Sequence, residues 1–334
     1  MTTTQIALPW LIALIALALA FDFLNGLHDA ANSIATVVST RLLSPVHAVV
    51  FAAFFNFAAY WVFGLKVAET VGKGIIDKDI VDPQVIFGAL VGAMFWNLVT
   101  WWRGIPSSSS HALIGGLIGA GLLRAGLDGI MWPGVIKTAS AIVLSPMMGL
   151  FLSMFLILMT SWLFMRATAK SAEGIFRKVH LLSSAAYSLG HGANDAQKTM
   201  GIITVLLYSQ GMLQGEFHVP GWVVLSCYVA ISLGTLSGGW KIIETMGTRI
   251  TKLSHHQGFC ASAGGSVMLF AATAFGIPVS TTHTITGCVV GVGAARRASA
   301  VRWSVAGNIV VAWLVTIPAS AAVGALFYWL TTLI

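Results

Sequence analysis

This 334-residue chain is short of charge: only 9% of its residues are Asp, Glu, Lys or Arg. A soluble domain carries about a quarter. With 57% hydrophobic residues and a mean hydropathy of +0.86, that scarcity excludes a water-soluble globule and points to a polytopic membrane protein. A cysteine framework is missing too. Cys227, Cys260 and Cys288 lie in apolar sequence without metal-ligand spacing, and an odd number gives no disulfide set. No basic side chain precedes the first apolar run, so the N-terminus reads as the lead into a retained helix and not as a cleaved signal peptide. The net charge of +7 would suit a nucleic-acid partner, but the placement of the basic residues excludes one.

A spanning helix needs about 20 apolar residues. Segments 8–40, 45–67, 85–102, 106–123 and 134–165 form one series. After a basic stretch at 167–180, segments 181–208, 222–239, 258–275, the one opening at Pro278, and 301–333 form a second. A polar stretch with Lys73, Asp77, Lys78, Asp79 and Asp82 interrupts the first series, and a polar helix at 241–256 interrupts the second. Five crossings per half would invert the second half relative to the first. With the N-terminus outside, the inner face collects Arg41, Arg103 and the basic residues of 166–178, 241–252 and 296–302. The outer face receives only Lys66, Lys73, Lys78, Arg124 and Lys137. This bias follows the positive-inside rule and accounts for the net charge. The expected fold is an all-α polytopic membrane protein with about ten segments in two inverted-topology repeats, 1–166 and 181–334. A basic cytoplasmic linker, 167–180, joins them, and both termini are expected outside.

Polar motifs occur twice within this apolar sequence. Asn25-Gly26-Leu27-His28-Asp29-Ala30-Ala31-Asn32 has a counterpart in His191-Gly192-Ala193-Asn194-Asp195-Ala196-Gln197-Lys198. Gly26 aligns with Gly192, Asp29 with Asp195, and Asn32 with Lys198. Intramembrane carboxylates cost several kcal/mol and mark functional sites with a partner. Gly26 and Gly192 would let each helix break, exposing carbonyls for a cation and amides for an anion. Further on, Pro106-Ser107-Ser108-Ser109-Ser110-His111 matches Pro278-Val279-Ser280-Thr281-Thr282-His283. The prolines stop a helix, and the hydroxyls sit where the next one begins, its amide end favouring an oxyanion. Serines there also cap or pack a helix; the duplication favours a binding site for a multiply charged tetrahedral anion. His111 and His283 follow the hydroxyls in both copies and could close the site or carry a proton. His28 and His191 are not equivalent positions and carry less weight. Duplicated polar motifs at a repeat interface are the mark of a secondary transporter.

Together these four motifs resemble the inorganic phosphate transporter (PiT) family over essentially the full chain, with bacterial low-affinity members most similar. The resemblance implies a phosphate symporter driven by protons or sodium, in some members carrying a neutral metal–phosphate complex, so a divalent metal is a conceivable co-substrate. It assigns phosphate to Ser107, Ser108, Ser109, Ser110, Ser280, Thr281 and Thr282. Coupling-ion roles go to Asn25, Asp29, Asn32, Asn194 and Asp195; the proton role of His111 and His283 rests on their matched positions and not on the resemblance. Sodium-coupled members resemble Asn-Asp-x-x-Asn in both copies, whereas this chain has His28 in the first and Lys198 in the second. Lys198 is therefore expected beside phosphate, its ammonium replacing one sodium ion, which favours proton coupling in a cytoplasmic (inner) membrane protein. The alternative is that Lys198 snorkels to the interface. Sodium symport, sulfate transport, a channel and an intramembrane metal-dependent hydrolase are the competing readings; the matched oxyanion cradles disfavour catalysis. No resident metal site or cofactor is assigned. A homodimer is compatible with the sequence, whose outward aromatics suit a subunit surface or a bilayer anchor equally.

Overall fold

The computed structural model describes residues 5–74 and 81–333, so Asp77, Lys78 and Asp79 of the polar stretch lie outside the described residues. Regular structure among the described residues is helical throughout. The first half runs α1 (Leu8–Ser39), α2 (Pro45–Ala58), α3 (Lys66–Gly74), α4 (Pro83–Arg103), α5 (Ser109–Ala125) and α6 (Trp132–Leu163). The second repeats the order with α7 (Ala169–Ser209), α8 (Gly221–Ser237), α9 (Trp240–Glu244), α10 (His255–Ala274), α11 (Thr281–Arg296) and α12 (Trp303–Thr331). Among the described residues, five helices are long and apolar enough to cross a membrane, and up to seven if each bent pair counts as one span. Those pairs, α2 with α3 and α8 with α9, bend by 86° and 69°. The all-α, multi-pass membrane architecture is as expected.

The halves exchange partners. α1 packs along α8 and α2 along α7; α12 covers the α4–α5 hairpin, while α6 covers α10–α11. Neither half closes its core alone. Glycines permit the approach: a Cβ at Gly115 or Gly119 of α5 would overlap backbone of α12, and one at Gly287 or Gly291 of α11 would overlap backbone of α6. Small residues four apart let membrane helices meet at backbone distance.

The expected breaks at Gly26 and Gly192 are corrected: α1 and α7 run unbroken through both motifs. These glycines serve close packing instead. A side chain at Gly26 would strike the Ile231 carbonyl of α8, and one at Gly192 the Asn56 backbone of α2. A helix stays intact when its polar side chains find partners within the protein, because no backbone group need be freed for them. The chain breaks at the serine motifs. Gly104 and Gly276, at φ +66 and +64, turn it in a conformation costly to any other residue. Pro106 and Pro278 follow; Ser108 and Ser280 then cap α5 and α11, each accepting a 3.2 Å bond from the amide of His111 or His283. Lys66 donates to the Ala274 carbonyl at the end of α10, and Lys241 to the Trp102 carbonyl at the end of α4, both at 3.1 Å.

Two boundaries also move. The polar helix expected at 241–256 is α9 plus a π-helical turn, Thr245–Arg249; α10 starts only at His255, behind a capping box of Ser254 and Gln257. Residues 169–180 of the basic connection are the first turns of α7.

Candidate substrate and ion site

Helices α1 and α7 carry Asp29 and Asp195 into the interior, where they are 2% and 0% exposed. The turns before α5 and α11 deliver hydroxyls to them. Ser109 donates to Asp29 Oδ2 at 3.0 Å and to Asn25 Oδ1 at 2.5 Å; its counterpart Thr281 donates to Asp195 Oδ2 at 2.9 Å. Within each half, therefore, the first residue of the short helix bonds the carboxylate of the long one.

The next hydroxyl is held from the opposite half. Asn32 of α1 donates to Thr282 of α11 at 2.9 Å, while Lys198 of α7 donates to Ser110 of α5. Lys198 also bonds Asp195 Oδ1 and, at 2.8 Å, the Val279 carbonyl. It is 2% exposed, so the ammonium lies in the cluster and does not snorkel outward. Thr281 and Thr282 further reach Asp29 at 3.5 and 3.3 Å, which ties both halves to one carboxylate.

Asn25, Asp29, Asn32, Ser109, Ser110, Thr281, Thr282, Asp195 and Lys198 thus come together. Others lie elsewhere. Ser108 and Ser280 accept as helix caps, which leaves each its own proton, and Ser107 bonds Thr100 at 2.9 Å and His28 at 3.3 Å. Asn194 turns to Thr273 and the Ile277 carbonyl, at 3.3 and 3.2 Å, linking α7 to the α10–α11 turn. His111 and His283 meet edge to face, centroids 4.7 Å apart, and His283 stacks on Trp313 at 3.7 Å. Both ring nitrogens of His111 and Nε2 of His283 are buried without a hydrogen-bond partner among the described residues.

Sequence reasoning undervalued His28 and His191. His28 Nδ1 lies 2.8 Å from Asp29 Oδ1, and His191 Nε2 lies 3.2 Å from Asp195 Oδ2. One precedes its aspartate directly and the other sits a helical turn before it, so aligning the motifs conceals the shared role. Each imidazole is anchored behind, His28 by Thr100 at 3.1 Å and His191 by Asn56 at 3.1 Å.

Two carboxylates against one lysine leave this buried cluster short of positive charge. Asp29, His191 and Asp195 each offer a ligand atom within 4.8 Å of the others, so a cation fits among them. An imidazole donor suits a transition metal better than a hard alkali or alkaline-earth ion. The hydroxyls matter as much. A Ser or Thr O–H has one proton to donate; Thr281 and Thr282 direct theirs at carboxylates, and Ser109 shares its own between Asn25 and Asp29. A proton or cation on a carboxylate weakens its hold and releases hydroxyls to an incoming oxyanion. Ser110, which accepts from Lys198, keeps its own proton for that purpose.

The chain is similar to known proteins in sequence and in fold. Residues 25–324 match the model of a family described as "Phosphate transporter family". A probable low-affinity inorganic phosphate transporter of Rhizobium meliloti is 64% identical, covering 98% of each chain. A protein of the same description from Bacillus subtilis is 42% identical, covering 97% of each. Among solved structures, one described as the sodium-dependent phosphate transporter superposes with a TM-score of 0.88 at 28% identity, covering 98% of this chain and 100% of that one.

Proposed function

The chain belongs to the phosphate transporter family, and we propose that it is a symporter that imports inorganic phosphate across the cytoplasmic membrane. Ser109, Ser110, Thr281, Thr282 and Lys198 hold the anion. Asp29 and Asp195 take the coupling charge, with Asn25, Asn32, His28 and His191 orienting them. The observation that carries this reading is the exchange of hydroxyls for carboxylate: the groups suited to phosphate are those whose protons the carboxylates now occupy. Binding of the coupling ion and of phosphate then reinforce each other, as any coupling between sites must be reciprocal.

Lys198 bears on which ion is used. Its side chain stands where the first half has Asn32 and pairs with Asp195, so one cation fewer is needed. Proton coupling follows. The second reading is sodium symport: the structural neighbour is described as sodium-dependent, and Asp29, His191 and Asp195 can surround a cation. A divalent metal travelling with phosphate would use the same donors. The two halves, 1–166 and 181–334, would lie inverted in the membrane, with 167–180 and most arginines on the cytoplasmic side and both termini outside. Alternating access would then move the α4–α5 and α10–α11 hairpins about the fixed carboxylates.

The test is labelled-phosphate uptake into proteoliposomes with an inward proton gradient, no sodium, and excess sulfate in a parallel sample. Concentrative uptake that collapses with a protonophore and ignores sulfate is expected. Uptake only after sodium is added would select the second reading, and no concentrative phosphate flux would overturn symport.

A further inference from the structure

A cavity of about 340 Å³ opens beneath the first serine motif. Arg103, Pro106, Thr245, Arg249 and Asn308 are among the side chains that line it. No carboxylate lines it; Arg249 pairs with exposed Glu244 at 2.8 Å outside its wall, and Arg103 lies over the Trp102 ring. Both arginines are exposed. The wall includes Ile309 of α12, and one turn further along the same face stands Trp313. The Trp313 indole donates to the Pro106 carbonyl at 3.2 Å, and its ring stacks on His283, next in sequence to Thr282. Trp313 thus links Pro106 of the cavity wall to the residue that follows the hydroxyls of α11. The repeat does not reproduce it. Aligning Pro318 of α12 with Pro146 of α6 places Ala141 opposite Trp313, and aligning Pro278 with Pro106 places Phe275 opposite Arg103.

We propose that this cavity is a second, outlying oxyanion site on the path between the hydroxyl cluster and the arginine-bearing face, closed from the cluster by Trp313. It rests on the phosphate-transport reading above. Arginine recognises phosphate through paired N–H groups. Here it does so beside water, where binding is weak enough for the ion to leave, and charge lining a cleft raises the local anion concentration. Phosphate reaching the cluster from this face passes the arginines first. Phosphate arriving from the opposite face meets them only after transport.

The test compares sides. Labelled-phosphate flux is measured in right-side-out and inside-out membrane vesicles for wild type, R103Q, R249Q and the double variant. Arg177→Gln, exposed on α7 and outside the cavity, is the control. The double variant is expected to raise KM several-fold in inside-out vesicles, with KM unchanged in right-side-out ones and R177Q like wild type. The same phosphate chemistry could come from a lipid headgroup, so the protein is also reconstituted in vesicles of phosphatidylcholine alone. The one-sided rise should persist there; if it appears only with anionic lipid, the arginines bind headgroups and the proposal falls. It also falls if KM shifts equally on both sides, shifts with R177Q, or does not shift. Absence of phosphate flux in wild type would instead strike the transport reading, and so separates the two failures.

Discussion

Asp29 and Asp195 occupy matching places in the two halves, yet their neighbours differ in kind. Around Asp29 every polar partner among the described residues is a hydroxyl or an imidazole: Ser109, Thr281, Thr282 and His28. Asp195 instead bonds a buried ammonium, Lys198, besides Thr281 and His191. One carboxylate has no cationic side chain bonded to it among the described residues, unless His28 is protonated, while the other is paired with Lys198. The two copies share one scaffold, and the position of Asn32 against Lys198 is where their charge differs.

Removing the carboxylates should break that comparison most visibly. Asp29→Asn and Asp195→Asn are both expected to lower labelled-phosphate uptake by up to about a hundredfold, since hydrogen bonds to charged groups contribute ~1.5–3 kcal/mol. Only Asp195→Asn should also unfold earlier on heating, because it strands Lys198; breaking a buried ion pair costs about 3–5 kcal/mol. Equal melting temperatures for the two variants would show that Lys198 does not distinguish the halves. Gly26→Val and Gly192→Val come next and should behave alike. Each drives a side chain into the backbone of a neighbouring helix, so the yield of monodisperse protein in size-exclusion chromatography should collapse for both. Survival of either would mean that its helix can move off its partner.

Lys198→Asn restores the first-half residue and sharpens the contrast. Uptake should become dependent on sodium by several-fold, measured with and without sodium at fixed proton gradient; unchanged coupling and affinity would remove Lys198 from the coupling argument. The smallest effect belongs to the matched capping lysines. Lys66→Met and Lys241→Met each remove one bond to a helix-end carbonyl and should lower thermal stability slightly and equally, with uptake kept. A loss of transport in one alone would reveal a gating role on that side.

Much of this organisation was legible in residue order. Composition implied a membrane protein, repeated motifs implied two halves, and the prolines and serines marked where α5 and α11 begin. Gly26 and Gly192 misled, because a glycine permits a break and a close approach equally well, and only the neighbouring helix decides between them. His28 and His191 escaped for a related reason. They reach their aspartates by different routes along a helix, and alignment by position cannot register that.

The amino-acid sequence by itself determined the helical class, the duplication and the identity of the acidic and hydroxyl groups, since these follow from composition and local chemistry. The tertiary structure alone decided the exchange of partners between halves: Asn32 with Thr282, Lys198 with Ser110, and Trp313 with the Pro106 carbonyl. These pairs are far apart along the chain, and side chains so separated meet only when whole helices have packed.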